Sequence, residues 1–369
     1  MDRQRDMDRI SGVQVTALVS SAVIGVGIMS LPNRIADQVK TGATVIAIVS
    51  AVMVLIATYI VAFLSRRFPY RTVFDYGPTI VGRILGKLIT GVLLFDFILV
   101  SSIVVRMFAS VIKLFLLEQT PIEVIIISIL MVSAYLVQNG INPIARICEL
   151  FFPITIIALS LLLILSLQNF DFKELYSSWQ IGAMDLLKGI PSTMLAYLGF
   201  EVLLIVPAFM IEPKGVIKYG ITGVGAAVVL YIVTVVMCIG VFSGDDLRYL
   251  LYPTLELAKT ISFPGAFAER FDIFFAVFWV LAVFTTIAIY HYLSAFSMTR
   301  FFGLKNYRPF CYFLLPVIYF LSLSPQNIYQ TRLAAALVSY VGGLVSFVLP
   351  VVLLVTALLR KKGVSYREK

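Results

Sequence analysis

The residues best suited to bind a small charged molecule lie in the first long apolar run, at about 11–36. Its stretch SSAVIGVGIMSLP, from Ser20 to Pro32, holds Gly25 and Gly27, with the proline five residues further on. Each glycine costs about 1 kcal/mol of helix propensity, and proline removes a backbone donor. Unwound backbone persists at membrane depth only where it faces protein or a polar cavity. The pattern predicts a ligand site at a broken helix or, alternatively, close helix packing through small residues.

A second interruption is predicted in the sixth apolar run, GIPSTMLAYLGFEVLLIVPAFMIEP. There Gly199 is followed eight residues later by Pro207, a spacing similar to that between Gly25 and Pro32. Five apolar runs precede this one and five start with it, so the two halves have opposite orientations across the membrane. Interrupted helices at matching places in inverted halves are typical of a transporter-type site at the midplane. This coincidence favours a functional break over simple packing.

The two breaks would free backbone groups of both polarities. Helix one runs outward, so the half-helix that starts near Ile28 turns its positive end toward the midplane, where it suits a carboxylate. Carbonyls released at both breaks suit an ammonium group or a small cation, and an α-amino acid carries both charges. The amides are those of Val26, Gly27 and Ile28, and the carbonyls are those of Val23, Ile24, Tyr197 and Leu198.

Glu201 lies just after the second break, and an intramembrane carboxylate is costly enough to suggest a function. Three roles remain open for it: holding an amino group, carrying a proton, or bracing the broken backbone. Asp96 and Arg106 lie about ten residues apart on the third run. We expect each of them to pair across helices in a structural role.

The eighth run, VLAVFTTIAIYHYLSAF, carries the remaining polar groups. Ala282, Thr285 and Thr286 share one helix face, and a carbonyl with two hydroxyls suits dehydrated Na⁺ or a ligand amine. The alternative is that both hydroxyls bond the backbone of their own helix. Tyr290 continues the face of Thr286, whereas His291 is expected to pack at the helix end.

The composition places these residues in a polytopic α-helical membrane protein, because 60% of the residues are hydrophobic and only 13% are charged. A spanning helix needs about 20 apolar residues. Breaks at charged or Pro/Gly clusters predict ten helices in one transmembrane domain, 1–369, with a first five-helix repeat at 11–168 and a second at 187–361. The predicted spans are 11–36, 42–65, 85–117, 121–137, 143–168, 187–211, 216–243, 268–299, 309–324 and 332–359.

Several function classes find no support in the sequence. The cysteines Cys148, Cys238 and Cys311 are far apart and show no metal-ligand spacing, and His291 is the only histidine. There is no Walker loop, and the net charge of +9 lacks the aromatic–basic interleaving of a nucleic-acid interface. We therefore expect no catalytic residue, metal, cofactor or nucleic-acid partner. The positive-inside rule predicts that both termini are cytoplasmic.

The longest predicted outer segment, 244–267, contains an amphipathic stretch from about Tyr252 to Ile261. It is interpreted as a short helix across the outer face, acting as a lid or, more simply, as a helical cap on a loop.

Interrupted helices one and six in a five-plus-five arrangement resemble the amino acid–polyamine–organocation superfamily, whose fold is LeuT-like. Within it, the chain resembles the B subunit of spore germinant receptors over nearly its whole length. The glycine motif is only weakly specific, whereas the LEQTP and AERF segments are more specific. The segments that carry the resemblance are GVGIMSLP, RMFASVIKLFLLEQTPIEVII, YLGFEVLLIVP, YPTLELAKTISFPGAFAERF and FTTIAIYHY.

This resemblance implies a nutrient receptor in the spore inner membrane, surrounded by lipid. It would work with a larger membrane A subunit and a lipoprotein C subunit, and it would often bind an amino acid. An ion-coupled amino-acid permease of the same fold, or a scaffold with a vestigial pocket, remains open. The pocket that the family placement implies is lined by Gly25, Val100, Leu198, Thr286 and Tyr290.

Overall fold

The computed structural model describes residues 8–39, 42–177, 179, 181–261 and 271–363, and these are almost entirely helical. The first span consists of α1, Gly12–Val23, and α2, Gly27–Gln38, which are bent by 46° at the break between them. The other helices are α3 Ala43–Arg66, α4 Val73–Val81, α5 Arg83–Phe115, α6 Ile122–Val137, α7 Ile141–Ser166, α8 Phe172–Ser177, α9 Ala183–Tyr197, α10 Val216–Leu247, α11 Pro253–Lys259, α12 Phe271–Phe301, α13 Arg308–Leu323, α14 Ile328–Gly343 and α15 Leu349–Leu359.

The helix lengths agree with the predicted membrane protein. Among the described residues, six helices are long and apolar enough to cross a membrane, or seven if the bent first pair forms one span. The shorter apolar helices α6 and α13 and the interrupted sixth run supply the rest, so the arrangement is compatible with ten spans. A π-helical turn, Leu344–Val348, joins α14 to α15 within the last span. Residues 268–270, at the start of the predicted eighth span and within the AERF motif, lie outside the described residues.

The first break follows from the local sequence. A capping box between Ser11 and Gln14 starts α1, which continues to Val23 before Ile24 leaves helical geometry with ψ at 78°. Next to it, α2 starts at Gly27 without a side-chain cap and tolerates Pro32 in its interior. The Gly27 and Ile28 amides therefore have no acceptor within the helix, whereas the Met29 amide donates to the Val26 carbonyl over 3.3 Å.

The second break is more severe than the sequence predicts. Helix α9 ends at Tyr197, and Gly199 has a φ of +132°, a conformation that favours glycine. Two short 3₁₀ segments follow, Phe200–Leu204 and Val206–Phe209, in place of the expected inner half-helix. The predicted span 187–211 is therefore α-helical only up to Tyr197, because Gly199 redirects the chain and Pro207 lacks the amide that a continuing α-helix needs.

The segment before α1 and the segment after the 3₁₀ region are joined by a short parallel bridge between Ile10 and Met210. The Ile10 amide donates to the Phe209 carbonyl and the Ile211 amide donates to the Ile10 carbonyl, both over 3.0 Å. The segment that enters α1 is thereby fixed to the segment that leaves the 3₁₀ region.

The predicted helix of the outer segment is present as α11. Its Thr254 hydroxyl donates to the Ile28 carbonyl over 2.6 Å, and its own Leu255 and Leu257 are buried. This helix thus packs on α2, in the position expected of a cap or lid.

Candidate functional site

The two breaks meet in the centre of the helical bundle. A Cβ atom added to Gly199 would lie 2.6 Å from the carbonyl carbon of Ala22 and 2.7 Å from the Val23 amide nitrogen. A Cβ added to Gly27 would similarly lie 2.6 Å from the Ala196 Cα. Each break therefore depends on glycine to let the backbone of the other span approach.

Side chains from α10 and α12 hold the carbonyls of the first break. The Tyr231 hydroxyl donates to the Val23 carbonyl over 2.7 Å, and the Trp279 indole donates to the Gly25 carbonyl over 3.4 Å. The sequence suggested that carbonyls here would be available to a cation or an amine, but the Val23 oxygen already has a protein partner. Sequence reasoning missed both aromatic residues, because each lies more than 200 positions from the carbonyl that it binds.

Glu201 connects the second break to α12. Its Oε2 accepts the Gly199 amide over 2.8 Å, and its Oε1 accepts the Tyr290 hydroxyl. The carboxyl group is buried completely. Of the three roles considered from the sequence, these two hydrogen bonds correspond to bracing of the broken backbone. They also place the carboxyl group beside the break.

Of the two neighbouring threonines of α12, Thr286 faces the first break. The Thr286 hydroxyl lies 2.6 Å from the Ser21 carbonyl and 3.2 Å from the Ala282 carbonyl, while Thr285 donates to Ala282 over 2.7 Å. Thr285 thus bonds its own helix, but Thr286 also reaches across to the broken span. A Cβ added to Gly25 would lie 2.8 Å from the Thr286 hydroxyl oxygen, so Thr286 leaves no room for a side chain at position 25.

The other predicted pocket residues are also buried, although not all of them face this centre. Val100 lies on α5 one turn from Phe97, whose ring is 6.2 Å from that of Tyr290. The Tyr197 hydroxyl points instead to the Ala47 carbonyl on α3, 3.4 Å away. Every residue of the predicted ligand and cation sites is buried, so the structure shows this centre closed. The residues concerned are Val23, Ile24, Gly25, Val26, Gly27, Val100, Tyr197, Leu198, Gly199, Glu201, Ala282, Thr285, Thr286 and Tyr290.

Asp96 departs from its expected structural pairing. It is fully buried on α5, and neither carboxyl oxygen has a hydrogen-bond partner among the described residues. It lies close enough to Glu201 and Tyr290 for electrostatic interaction. The sequence showed an intramembrane acid here, but only the fold shows that it joins the Glu201 cluster.

His291 is held by protein partners, as a structural residue would be, but it lies well inside α12 and not at the helix end as predicted. Its Nε2 lies 2.9 Å from the Cys311 carbonyl and its Nδ1 lies 3.0 Å from the Ser133 hydroxyl, both in a buried setting. A carbonyl only accepts, so Nε2 carries the proton and Nδ1 accepts from Ser133.

We expect Thr286→Val to weaken ligand response about tenfold or more while the protein keeps its normal membrane level. Valine nearly keeps the volume, and the lost hydroxyl is the group that would bond a charged ligand, a bond worth roughly 1.5–3 kcal/mol. Dose–response curves beside immunoblots of membrane fractions measure this effect.

Thr285→Val is the matched control, because the Thr285 hydroxyl bonds only its own helix in the described structure. If both substitutions had equally small effects on the response, we would conclude that the Thr286 hydroxyl bonds only the backbone and does not contact a ligand.

Comparison with protein families places this site in a known context. A family model described as "Spore germination protein" matches residues 9–331. The chain belongs to the spore germination protein family. The match spans both breaks, α5 and α12, and therefore contains the whole candidate site.

Curated relatives cover almost the entire chain. Spore germination protein YndE of Bacillus subtilis (strain 168) is 32% identical over 96% of this chain and 98% of its own length. From the same organism, spore germination protein A2 is 27% identical over 98% of this chain and 99% of its own length, and spore germination protein B2 is 26% identical over 90% and 91%.

Solved structures share the fold at low sequence identity. A crystal structure of MhsT in complex with L-phenylalanine has a TM-score of 0.67 and 12% identity, and covers 95% of this chain and 99% of that one. Mhp1, a nucleobase-cation-symport-1 family transporter with bromovinylhydantoin bound, has a TM-score of 0.61 and 13% identity over 98% and 81%. The fold is therefore LeuT-like, with interrupted helices one and six. Together with the family, it supports a germinant-sensing or permease-type integral membrane protein.

Proposed function

We propose that this chain is the nutrient-sensing membrane subunit of a spore germination receptor and that it binds a small germinant between the two breaks. The observation that carries the proposal is the meeting of Gly25 and Gly199 with Thr286, Tyr290 and Glu201 around them. Relatives named as spore germination proteins support the biological role, and the broken-helix fold supports the position of the site.

An α-amino acid fits the polarity of this centre. The unpaired first-turn amides of α2, at Gly27 and Ile28, suit its carboxylate at a positive helix end. The Glu201 carboxylate, with Asp96 nearby, suits its ammonium group. The family resemblance would add Val100 and Leu198 to this site as apolar groups, which favours a germinant with a small or apolar side chain.

The closed centre must open before a ligand can enter. Thr286 leaves no room for a side chain at Gly25, so binding requires the first span and α12 to separate by a small distance. Receptor function then follows if the ligand stabilises the separated arrangement better than the closed one.

The proposed partners are a larger membrane A subunit and a lipoprotein C subunit, with the complex in the spore inner membrane and both termini of this chain in the cytoplasm. Relatives named A2 and B2 support membership in such a receptor. Co-purification of the full chain with the products of neighbouring reading frames tests this assembly.

Binding and uptake measured side by side test the function. Purified full-length protein in proteoliposomes is incubated with labelled L-alanine and, separately, with a panel of labelled amino acids, with and without Na⁺ or a pH gradient. Saturable binding without uptake supports the receptor. Ion-driven accumulation supports the second candidate, an ion-coupled permease, which the likeness to Mhp1 favours. Absence of both would indicate a scaffold.

In the same assay we expect Gly25→Val to abolish binding while the protein remains in the membrane. The branched side chain would overlap the Thr286 hydroxyl and fill the space that a ligand needs. Gly225→Ala is the matched control, because a Cβ at Gly225 meets no atom within 4 Å. Normal binding by Gly25→Val would contradict the proposed site.

A further inference from the structure

A separate cavity of about 200 Å³ opens beside the outer ends of α2, α5, α9 and α14. Its deeper residues include Ser30 on α2 and Ser339 on α14, which lie one helical turn beyond Gly27 and Gly342. The cavity therefore ends close to the candidate site but is formed by different side chains. Tyr252, just before α11, lines the same cavity.

Arginine side chains from two helices line this cavity. Arg34 comes from α2 and Arg332 from α14, and Lys188 on α9 adds a third cation. Within the described residues, none of these three side chains forms an ion pair, although Asp37 also lines the cavity. Three cations and one carboxylate leave the cavity with an excess of positive charge, which a bound anion would offset.

Asn33 fixes the position of one of these arginines. Its side-chain oxygen accepts from Arg332 over 3.0 Å, while its amide nitrogen donates to the Leu247 and Arg248 carbonyls over 3.0 Å each. Asn33 is itself buried. This bracing holds the Arg332 guanidinium at the cavity before any ligand arrives, which lowers the cost of binding.

The positive charges of three arginines lie near the hydroxyl group of Tyr252. Burial raises the pKa of its hydroxyl, while the nearby charges of Arg34, Arg332 and Arg106 each lower that pKa. Arg106, on α5, is only 7% exposed, and its Nε has no hydrogen-bond partner among the described residues. Three guanidinium groups from three helices therefore lie close enough to interact electrostatically with one hydroxyl that lines the cavity.

We infer that this outer cavity is a binding site for a small carboxylate anion, held by Arg34 and Arg332. Guanidinium groups match carboxylates in a planar, two-bonded geometry, and two of them lining one small cavity favour a compact ligand with one or two carboxylates. The cavity volume admits a molecule of that size but excludes a folded peptide segment. The site does not depend on the function proposed for the central breaks.

The carboxylate has two possible sources with the same chemistry. It can belong to the germinant, met on its way inward, or to a separate anion that binds beside it. Malonate binding establishes whether the site exists, and competition with an amino acid then separates the two sources.

The test measures malonate binding to the full-length protein in detergent, by calorimetry and by the thermal midpoint of unfolding, at ionic strength held constant with NaCl. We expect saturable binding and a rise in the midpoint for the unmodified protein. Arg332→Gln and Arg34→Gln should each weaken malonate binding at least tenfold. Arg332→Lys should weaken it less than Arg332→Gln does, because lysine keeps the charge but cannot form the two parallel hydrogen bonds of a guanidinium group.

Arg248→Gln is the matched control. It removes one arginine charge from the same end of the molecule, but Arg248 pairs with Asp245 and does not line the cavity. We expect it to bind malonate as the unmodified protein does. No saturable binding, unchanged binding by both cavity variants, or an equal loss in Arg248→Gln would each overturn the inference.

Competition then identifies the source. If L-alanine displaces malonate and L-alaninamide, which lacks the carboxylate, does not, the germinant's own carboxylate uses the site. If neither displaces malonate, the site binds a separate anion. Failure of the central proposal would appear differently, as absent amino-acid binding with intact malonate binding.

Discussion

Gly199→Ala is expected to lower the stability and the membrane level of the protein severely. Gly199 has a φ of +132°, which costs a residue with a side chain about 1–3 kcal/mol. The added methyl group would also lie 2.6–2.8 Å from backbone atoms of Ala22 and Val23, which cannot rotate away. Strain and overlap act together at the point where the two breaks touch. Thermal unfolding in detergent and immunoblots of membranes measure the loss.

Gly225→Ala again provides the control, since its Cβ would meet open space in the interior of α10. There the helix gains about 1 kcal/mol in propensity, so stability should stay equal or rise slightly. If Gly199→Ala unfolded at the same temperature as this control, the close approach of the two breaks would be disproved.

Glu201→Gln is expected to remove nearly all ligand response at normal abundance. The amide is the same shape as the carboxyl group, and its oxygen can accept the Gly199 amide while its nitrogen donates to the Tyr290 oxygen. Bracing therefore survives the change, whereas the charge that would hold an ammonium group is lost. Removing a charge-assisted bond of this kind costs roughly 1.5–3 kcal/mol.

Glu201→Ala separates the two roles, because it removes the bracing as well as the charge. We expect it to lower the amount of protein, since the Gly199 amide would then lie buried without its acceptor. The readouts are germinant dose–response and immunoblotting of the same spores. A fully responsive Glu201→Gln protein would restrict this carboxylate to a structural role.

The first break could be predicted from sequence because its causes are local. Gly25, Gly27 and Pro32 oppose a continuous helix by their own backbone preferences, and the structure ends α1 at Val23 and restarts at Gly27. The broken-helix fold followed from the matching position of Gly199. The count of ten spans remains a prediction that the described helices fit. The repeat boundaries and the orientation of the termini also remain predictions.

The details that sequence reasoning missed depend on contacts between distant residues. Nothing near Val23 indicates that Tyr231 will bind its carbonyl, and nothing near Asp96 shows that it will lie unpaired beside Glu201. The loss of the inner half of helix six likewise reflects packing against α1 as well as Gly199 and Pro207. Arg34 and Arg332 are almost 300 residues apart in sequence, so only the fold shows that they share a cavity.

The bridge between Ile10 and Met210 has a mechanical consequence for the site. Two backbone hydrogen bonds make the entry to α1 and the exit from the 3₁₀ segments a single moving body. If the proposed ligand shifts either break, we expect residues 8–11 and 209–212 to move together, because the bridge couples the two segments.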